Sequence, residues 1–275
     1  NPVEVATGAN TTFGYQSPKL NDTSFLFRIG YRNQKYDSIN LSDNSQGQMF
    51  KVQFQNRLDK TFVSGDIGSL ESIISQNTFN NPLFPTMGYQ WSITNKYGHS
   101  VISNSKGGCF NFFKANLDAS WCTPLINEYS LILYLHGHVG LIGQINNGNV
   151  PYRELYNIGG PSTVRGFTFG QIGPQLFGDP LGSKKGFWVN VELRFPITSD
   201  FSIKGLIFYD GGAGWDPVNE VNPQVQQSIS NKFFNYRHSV GIGIRLTQPT
   251  PVKIDWGFKL DRNKRLGEKI DEVHF

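Results

Sequence analysis

The sequence predicts an all-β protein, an antiparallel transmembrane β-barrel, and three observations support that fold class. Apolar and polar residues alternate along segments of about nine to twelve residues, as in strands with two different faces. Aromatic residues make up 14% of the 275 residues, and 30 glycines accompany them, whereas charged residues make up only 17%. Mean hydropathy is −0.35, a value that a barrel with a polar interior shares with soluble proteins.

The alternation defines strands in both halves of the chain. Within each of them, residues at every second position are apolar and most residues between them are polar or glycine. The predicted strands are residues 24–32, 49–56, 89–96, 112–121, 129–141, 187–195, 201–210, 236–246 and 252–260. In all, about eleven such segments are expected, separated by turn-forming residues. No stretch has helical periodicity, and the polar segment 217–232 is predicted to be a loop.

The two faces of these strands bear on the choice between a membrane barrel and a soluble sandwich. Aromatic residues such as Trp91, Trp121 and Phe195 stand near the ends of apolar faces, while the polar faces mix both charges with glycine. A transmembrane barrel has this arrangement, with lipid outside and a hydrated interior. A soluble β sandwich also alternates, because one face meets a core and the other meets water. The pattern favours the membrane barrel, and the soluble sandwich is the alternative.

Composition also bears on partners and on redox chemistry. The net charge of +4 is small for this length and no basic cluster stands out, so a nucleic-acid partner is not expected. Cys109 and Cys122 are expected near opposite ends of one strand, too far apart for a disulfide. Because the sequence starts at Asn1 rather than Met, we expect a processed or excised N-terminus.

The longest connection between predicted strands runs from residue 141 to residue 187. Loops of that length inside a compact unit are uncommon and usually functional. Arg165 lies at its centre and is followed by Gly166. Glycine lets backbone segments approach closely, and the guanidinium offers a planar fork of donors. The composition of the loop therefore predicts that Arg165 binds a partner elsewhere in the chain.

Three residues on later strands are candidates for that partner. Phe208 and Asp210 point into the polar interior of the predicted barrel, and Glu192 faces the same way on the preceding strand. An arginine can bind a carboxylate bidentately and stack on an aromatic ring, and an arginine buried without a partner is costly. We therefore predict that the loop folds inward and that Arg165 docks there. No nucleophile or base joins the two carboxylates, so a catalytic pair is not predicted.

The same residues carry a resemblance to a known family. Gly159 to Phe167, followed by Ile172-Gly173-Pro174, is similar to the loop-six signature of the BamA-like outer-membrane β-barrel assembly superfamily. The pattern Phe208-x-Asp210-x-Gly212-x-x-Trp215 is similar to the second signature of that family. Three further stretches resemble a mid-barrel strand entry and the last strands: residues 81–86, residues 241–246 with Pro249, and Asp255-Trp256-Gly257.

The resemblance implies a sixteen-stranded barrel with loop six inside the lumen. It assigns a lock to the loop-six residues Val164, Arg165, Gly166 and Phe167, and lock partners to Phe208, Asp210, Gly212 and Glu192. It further implies a protein that is not an enzyme and that inserts and folds β-barrel proteins at a weak seam between its first and last strands. Implied partners are unfolded barrel clients, membrane lipid, and accessory lipoproteins bound through N-terminal modules. The implied location is the bacterial outer membrane, with an organellar outer membrane as the alternative.

The chain also departs from the family pattern. Its strands are too few, N-terminal modules are absent, and the sequence ends at Phe275 within a strand pattern. We therefore expect residues 1–275 to be a C-terminal barrel domain, truncated on its N-terminal side and within its last strand. The alternative functions are a two-partner secretion translocator of the same superfamily and a passive porin. No cofactor is predicted, and no metal either, because His136 and His138 alone make a weak ligand set.

Overall fold

A computed structural model describes most of the chain. The described residues are 4–20, 23–36, 64–101, 109–126, 130–146, 148–176, 179–198, 203–216, 234–246, 250–262 and 268–274. The strands are β1 (Glu4–Ser17), β2 (Thr23–Tyr36), β3 (Gly65–Asn77), β4 (Gly88–His99), β5 (Asn111–Ile126), β6 (Leu131–Gln144), β7 (Gln175–Leu176), β8 (Asp179–Pro180), β9 (Lys185–Pro196), β10 (Ile203–Trp215), β11 (Arg237–Leu246), β12 (Val252–Lys259) and β13 (Asp271–His274).

Eleven of these strands form one antiparallel sheet in chain order. The order is β1-β2-β3-β4-β5-β6-β9-β10-β11-β12-β13, and β7 and β8 form a separate hairpin. That hairpin belongs to loop six, defined here as residues 145–184, which connect β6 to β9. Neighbouring strands in this meander are joined locally, so pairing in chain order is the simplest topology available. The all-β antiparallel fold is thereby confirmed, as is the long connection between the sixth and seventh strands of the sheet.

The sheet has an apolar outer face and a polar inner face. Outward-facing Ile207 and Ile242 are 52% and 54% exposed, whereas inward-facing Asp210 and Ser239 are 0% exposed. This distribution is the reverse of a water-soluble protein, in which large apolar side chains are buried and charged ones are exposed. An outer face with many exposed large apolar side chains is suited to contact with lipid.

The predicted strands agree with those of the structure, with some differences. The structure lengthens the segment 24–32 at both ends to give β2, and β1, β3 and β13 were not among the strands defined from the alternation. The predicted strand 49–56 and the predicted loop 217–232 lie outside the described residues. Cys109 and Cys122 are both free thiols. Among the described residues, no helix is both long and apolar enough to cross a bilayer.

The buried apolar core lies between loop six and the inner face of the sheet. Loop residues Ile158, Val164 and Phe167 are each 0% exposed, as are Phe110, just before β5, and Phe112 at its start. All five belong to one hydrophobic cluster. A barrel with a polar interior has no core of its own, so the apolar residues of the loop supply the interior packing here. The loop is thus part of the folded structure and fills part of the lumen.

Candidate functional site

The tip of loop six is shaped by glycines with left-handed backbone angles. Gly159 has φ +116°, Gly160 has φ +104° and Gly166 has φ +84°, conformations that residues with a Cβ atom rarely adopt. The Gly160 amide donates to the carbonyl oxygen of Val164 at 3.1 Å. The tight turn that results projects Arg165 away from the loop and toward the wall of the barrel.

Arg165 binds Asp210 through three hydrogen bonds. Its Nε donates to Oδ2 at 2.7 Å, its Nη2 donates to Oδ1 at 2.8 Å, and its backbone amide donates to Oδ2 at 3.0 Å. Arg165 is 4% exposed and Asp210 is 0% exposed. A bidentate pair of this kind fixes orientation as well as distance, and the short length of its bonds is typical of charged partners.

The remaining faces of the guanidinium are also occupied. Nη1 lies 2.7 Å from Oε1 of Glu192 and 3.5 Å from Oδ2 of Asp255. The guanidinium carbon lies 3.7 Å from the centroid of the Phe208 ring, within the range of a cation–π interaction. Burial alone would lower the pKa of Arg165, but the hydrogen bonds and charges of Asp210, Glu192 and Asp255 raise it, so the cation is retained. We call this group of five side chains the Arg165 lock.

Glycines on the wall leave the space that the tip occupies. A Cβ atom at Gly212 would lie 3.0 Å from Cγ2 of Val164 and 2.8 Å from the carbonyl oxygen of Phe187. A Cβ atom at Gly257 would lie 2.6 Å from the amide nitrogen of Gly166. The structure therefore places Gly212 beside Val164, and the close approach of the loop backbone to β12 requires the absence of a side chain at Gly257.

Phe167 is held by two cations on β11 and β12. The guanidinium carbon of Arg237 lies 4.9 Å from the ring centroid and Nζ of Lys259 lies 5.3 Å from it. Arg237 in turn pairs with Asp261 at 2.7 Å and with Glu268 at 2.8 Å. The structure therefore brings together all eight residues assigned to the lock and its partners: Val164, Arg165, Gly166, Phe167, Phe208, Asp210, Gly212 and Glu192.

Besides the two cations at Phe167, three further contacts at the tip were not predicted from the sequence. They are made by Asp255 on β12, by the Ser239 hydroxyl, which donates to the Arg165 carbonyl oxygen, and by His274 Nε2, which accepts from the Gly166 amide at 3.0 Å. Asp255 stands in the Asp255-Trp256-Gly257 stretch that resembles the family's last strands, so a signal for it existed. Ser239 and His274 carry no such signal, since only the register of the sheet brings them to the loop.

A second buried charge cluster holds the other end of the loop, and the sequence reasoning missed it entirely. Glu154 lies in the short 3-10 turn Tyr152–Glu154 and is 7% exposed. Its carboxylate lies 2.5 Å from Nζ of Lys96 on β4, 3.4 Å from Nζ of Lys114 on β5 and 3.8 Å from Nη2 of Arg32 on β2. We call this group the Glu154 anchor. Lys114 also donates to the Glu154 carbonyl oxygen at 2.7 Å.

The two histidines considered as metal ligands share a carboxylate. His138 Nδ1 lies 2.8 Å from Asp118 Oδ1, and His136 Nε2 lies 3.7 Å from the same oxygen. His138 also stacks on Trp188, with ring centroids 3.7 Å apart. Within the described ranges, no group of three or more His, Cys, Asp and Glu residues is arranged to hold a metal ion.

These features together define a class of protein. It is a membrane-spanning antiparallel β-barrel sheet whose longest loop is folded into the polar interior and held there by buried ion pairs. A family model described as the Omp85 superfamily domain matches residues 4–275. The chain therefore belongs to the Omp85 superfamily, and the family resemblance drawn from the two signatures is confirmed.

Curated relatives come from bacteria and from animals. The outer membrane protein assembly factor BamA of Nitratidesulfovibrio vulgaris is 24% identical over 241 residues, which cover 86% of this chain and 27% of that protein. A SAM50-like protein of Drosophila melanogaster is 29% identical over 186 residues, which cover 67% of this chain and 39% of that protein. The chain thus spans well under half the length of these relatives. The bacterial relative is named as an outer membrane protein, which agrees with the predicted outer-membrane location, and that prediction is confirmed.

A solved structure supports the fold over nearly the whole chain. The crystal structure of BamA from Haemophilus ducreyi lacking POTRA domains 1–3 matches with a TM-score of 0.73 at 18% identity. The match covers 99% of this chain and 53% of that chain. The bacterial relatives are named as assembly factors, not as enzymes.

Proposed function

We propose that this chain is the membrane-barrel part of a factor that folds and inserts β-barrel proteins into the outer membrane. The observation that carries the proposal is the Arg165 lock, a buried cation that ties a lumen-filling loop to three strands, β9, β10 and β12. These contacts fix the relative positions of β9, β10 and β12, the strands that lead to the sheet edge at β13. The names of the bacterial relatives point to the same activity.

The proposed clients are unfolded β-barrel proteins, and the proposed mechanism is strand addition. The last strand of the described sheet, β13, presents an edge, and the unpaired backbone groups of an edge strand can template a further strand. The apolar outer face would contact membrane lipid throughout. The mechanism uses no covalent chemistry, so we propose that the protein is not an enzyme. Binding of accessory lipoproteins, and the assignment of residues 1–275 to a truncated C-terminal domain, stay predictions.

Replacement of Arg165 in the full-length protein of the native host tests this function. We expect Arg165→Ala to lower the folded fraction of outer-membrane β-barrel clients, measured by their heat-modifiable mobility on gels. Arg28→Ala is the matched control, because Arg28 forms a more exposed ion pair with Glu71 on β2 and β3, at 2.7 Å. Client folding that is unchanged in Arg165→Ala would rule out the proposed role of the lock.

The same variant separates the proposed function from a passive porin. The apolar and charged residues of loop six occupy part of the lumen, which does not favour a permanently open pore. If Arg165→Ala alters ion conductance in planar bilayers but leaves client folding intact, the porin alternative is supported. If client folding falls, the assembly function is supported.

A further inference from the structure

The Glu154 anchor is built from three separate strands of the wall that faces the base of loop six. Arg32, Lys96 and Lys114 belong to β2, β4 and β5, and their side chains converge on one carboxylate. Burial raises the pKa of the Glu154 carboxyl, but the charges of Lys96 and Lys114 outweigh that effect and lower it. The carboxylate is therefore charged when the loop is docked.

Tyr156 extends the same contact by two residues. Its hydroxyl donates to Oδ1 of Asn116 on β5, and Nζ of Lys114 lies 4.8 Å from its ring centroid. Glycines leave the space for the ring, since a Cβ atom at Gly186 would lie 2.9 Å from it. Tyr156 is 7% exposed. The wall is thus shaped for the base of the loop by charge, by hydrogen bonding and by volume.

Backbone hydrogen bonds connect this base to the returning limb of the loop. The amide of Tyr156 donates to the carbonyl oxygen of Ser183, and the amide of Ser183 donates to that of Tyr156, both at 2.9 Å. Closer to the tip, the amide of Ile172 donates to the carbonyl oxygen of Ile158 at 2.8 Å. Docking of Glu154 on the wall therefore also positions the returning limb of the loop.

The cations of the anchor depend on Glu154. Among the described residues, Arg32, Lys96 and Lys114 form ion pairs only with this carboxylate. Arg32 Nε is buried and has no hydrogen-bond partner. Withdrawal of Glu154 would leave three like charges close together in a partly buried site, which is strongly unfavourable.

We propose that Glu154 is a positioning residue that pins the base of loop six to the wall of β2, β4 and β5, independently of the Arg165 lock at the tip. Loop six is then a tie between two walls of the barrel. Opening of the lock frees the tip alone, while the base stays docked as a pivot. The consequence for client folding rests on the proposed function; the docking of the base does not.

Hydrogen exchange of the full-length protein in lipid nanodiscs tests the proposal, because it reports on base and tip separately. We expect Glu154→Gln to speed exchange of amides 152–158 by about tenfold or more, as loss of a hydrogen bond to a charged group predicts. We expect Arg165→Ala to speed exchange at the tip, residues 160–171, and to leave the base unchanged. Asp271→Asn is the control, since its carboxylate accepts a hydrogen bond from Trp256 on β12 at 2.9 Å and does not contact the base of loop six.

A second variant covers the case in which Glu154→Gln does not fold. Tyr156→Phe removes only the hydroxyl that donates to Asn116, and we expect a smaller acceleration confined to the base. The proposal would be overturned if either folded variant exchanged its amides at the base of loop six at the wild-type rate. It would also be overturned if Arg165→Ala accelerated exchange at the base as much as at the tip. If base exchange rises as expected while client folding is normal in all variants, the anchor is supported and the proposed assembly role of the loop fails.

Discussion

The Arg165 lock and the Glu154 anchor hold the same loop with opposite arrangements of charge. In the lock, one cation lies among three carboxylates. In the anchor, one carboxylate lies among three cations. Both central side chains are buried, at 4% and 7% exposure. Each of these central charges, Arg165 and Glu154, is therefore matched to a different wall of the barrel.

The two sites differ in what remains when the loop leaves. In the lock, Glu192 also pairs with Arg194 at 2.7 Å, and Asp255 also pairs with Arg245 at 2.7 Å. Among the described residues, only Asp210 would lose its sole cationic partner. In the anchor, the three cations would each lose the one carboxylate that they pair with in the described part of the chain. Because a buried charge without a partner is costly, we expect the tip, where two carboxylates keep another cation, to be released more easily than the base.

Charge reversal gives the largest expected effect. Glu154→Lys would place a fourth cation among three. Breaking a buried ion pair typically costs about 3–5 kcal/mol, and we expect this variant to lose more stability than that. Arg165→Glu would place a fourth carboxylate beside two that keep arginine partners, so we expect a smaller loss. Thermal unfolding in detergent micelles measures both. Equal losses would contradict the expected difference between tip and base.

A glycine substitution at the tip gives the next largest effect. Gly166→Ala adds a Cβ atom at φ +84°, 3.0 Å from the carbonyl carbon of Gly257, and we expect about 1–3 kcal/mol of backbone strain. Gly143→Ala on β6 is the control, because a Cβ atom there meets nothing within 4 Å. Protease cleavage at the tip measures release. Protection of the tip in Gly166→Ala equal to that in Gly143→Ala would mean that the close approach to β12 does not matter.

Removal of Arg245 takes away the second cation that pairs with Asp255. Arg245→Ala alone leaves Asp255 with Arg165, whereas the double variant Arg165→Ala with Arg245→Ala leaves Asp255 with neither cation. We expect the double variant to lose about 1 kcal/mol more than the sum of the single variants, because the sites share a partner. Unfolding free energies from a double-mutant cycle measure this coupling. Simple additivity would show that Arg245 does not act as a second partner of Asp255.

Acid gives the smallest effect over ordinary conditions. The pKa of Glu154 is lowered from its usual 4.5, so the stability that the anchor adds is complete above that value and is lost as the pH falls through the lowered one. We expect hydrogen exchange of the amides at the base of loop six, corrected for its intrinsic pH dependence, to be constant between about pH 6 and 8. It should rise only at strongly acidic pH. In Glu154→Gln that rise should be absent. A rise of the same size in both proteins would assign it to another group.

Much of the lock could be foreseen from the sequence, and none of the anchor. Phe208 and Asp210 share one face of a strand, and Arg165 precedes Gly166 in a glycine-containing loop. These local patterns and two family signatures identified both Arg165 and its partners on the barrel wall. Glu154 resembles any polar loop residue in the sequence. Its partners Arg32, Lys96 and Lys114 are separated by 64 and 18 positions, and each alone reads as an ordinary inward-facing cation of a barrel strand.

Most of the strands, and the apolar or polar character of their two faces, follow from the sequence alone, because a period of two depends only on neighbouring residues. The sequence also determined that Arg165 needs an acidic, aromatic partner. The contacts of Asp255, Ser239 and His274 at that site, and those of Glu154 at the base of the loop, are visible only in the folded protein. Those contacts depend on sheet register and on the curvature that brings distant strands around one loop, and neither is encoded within any single segment.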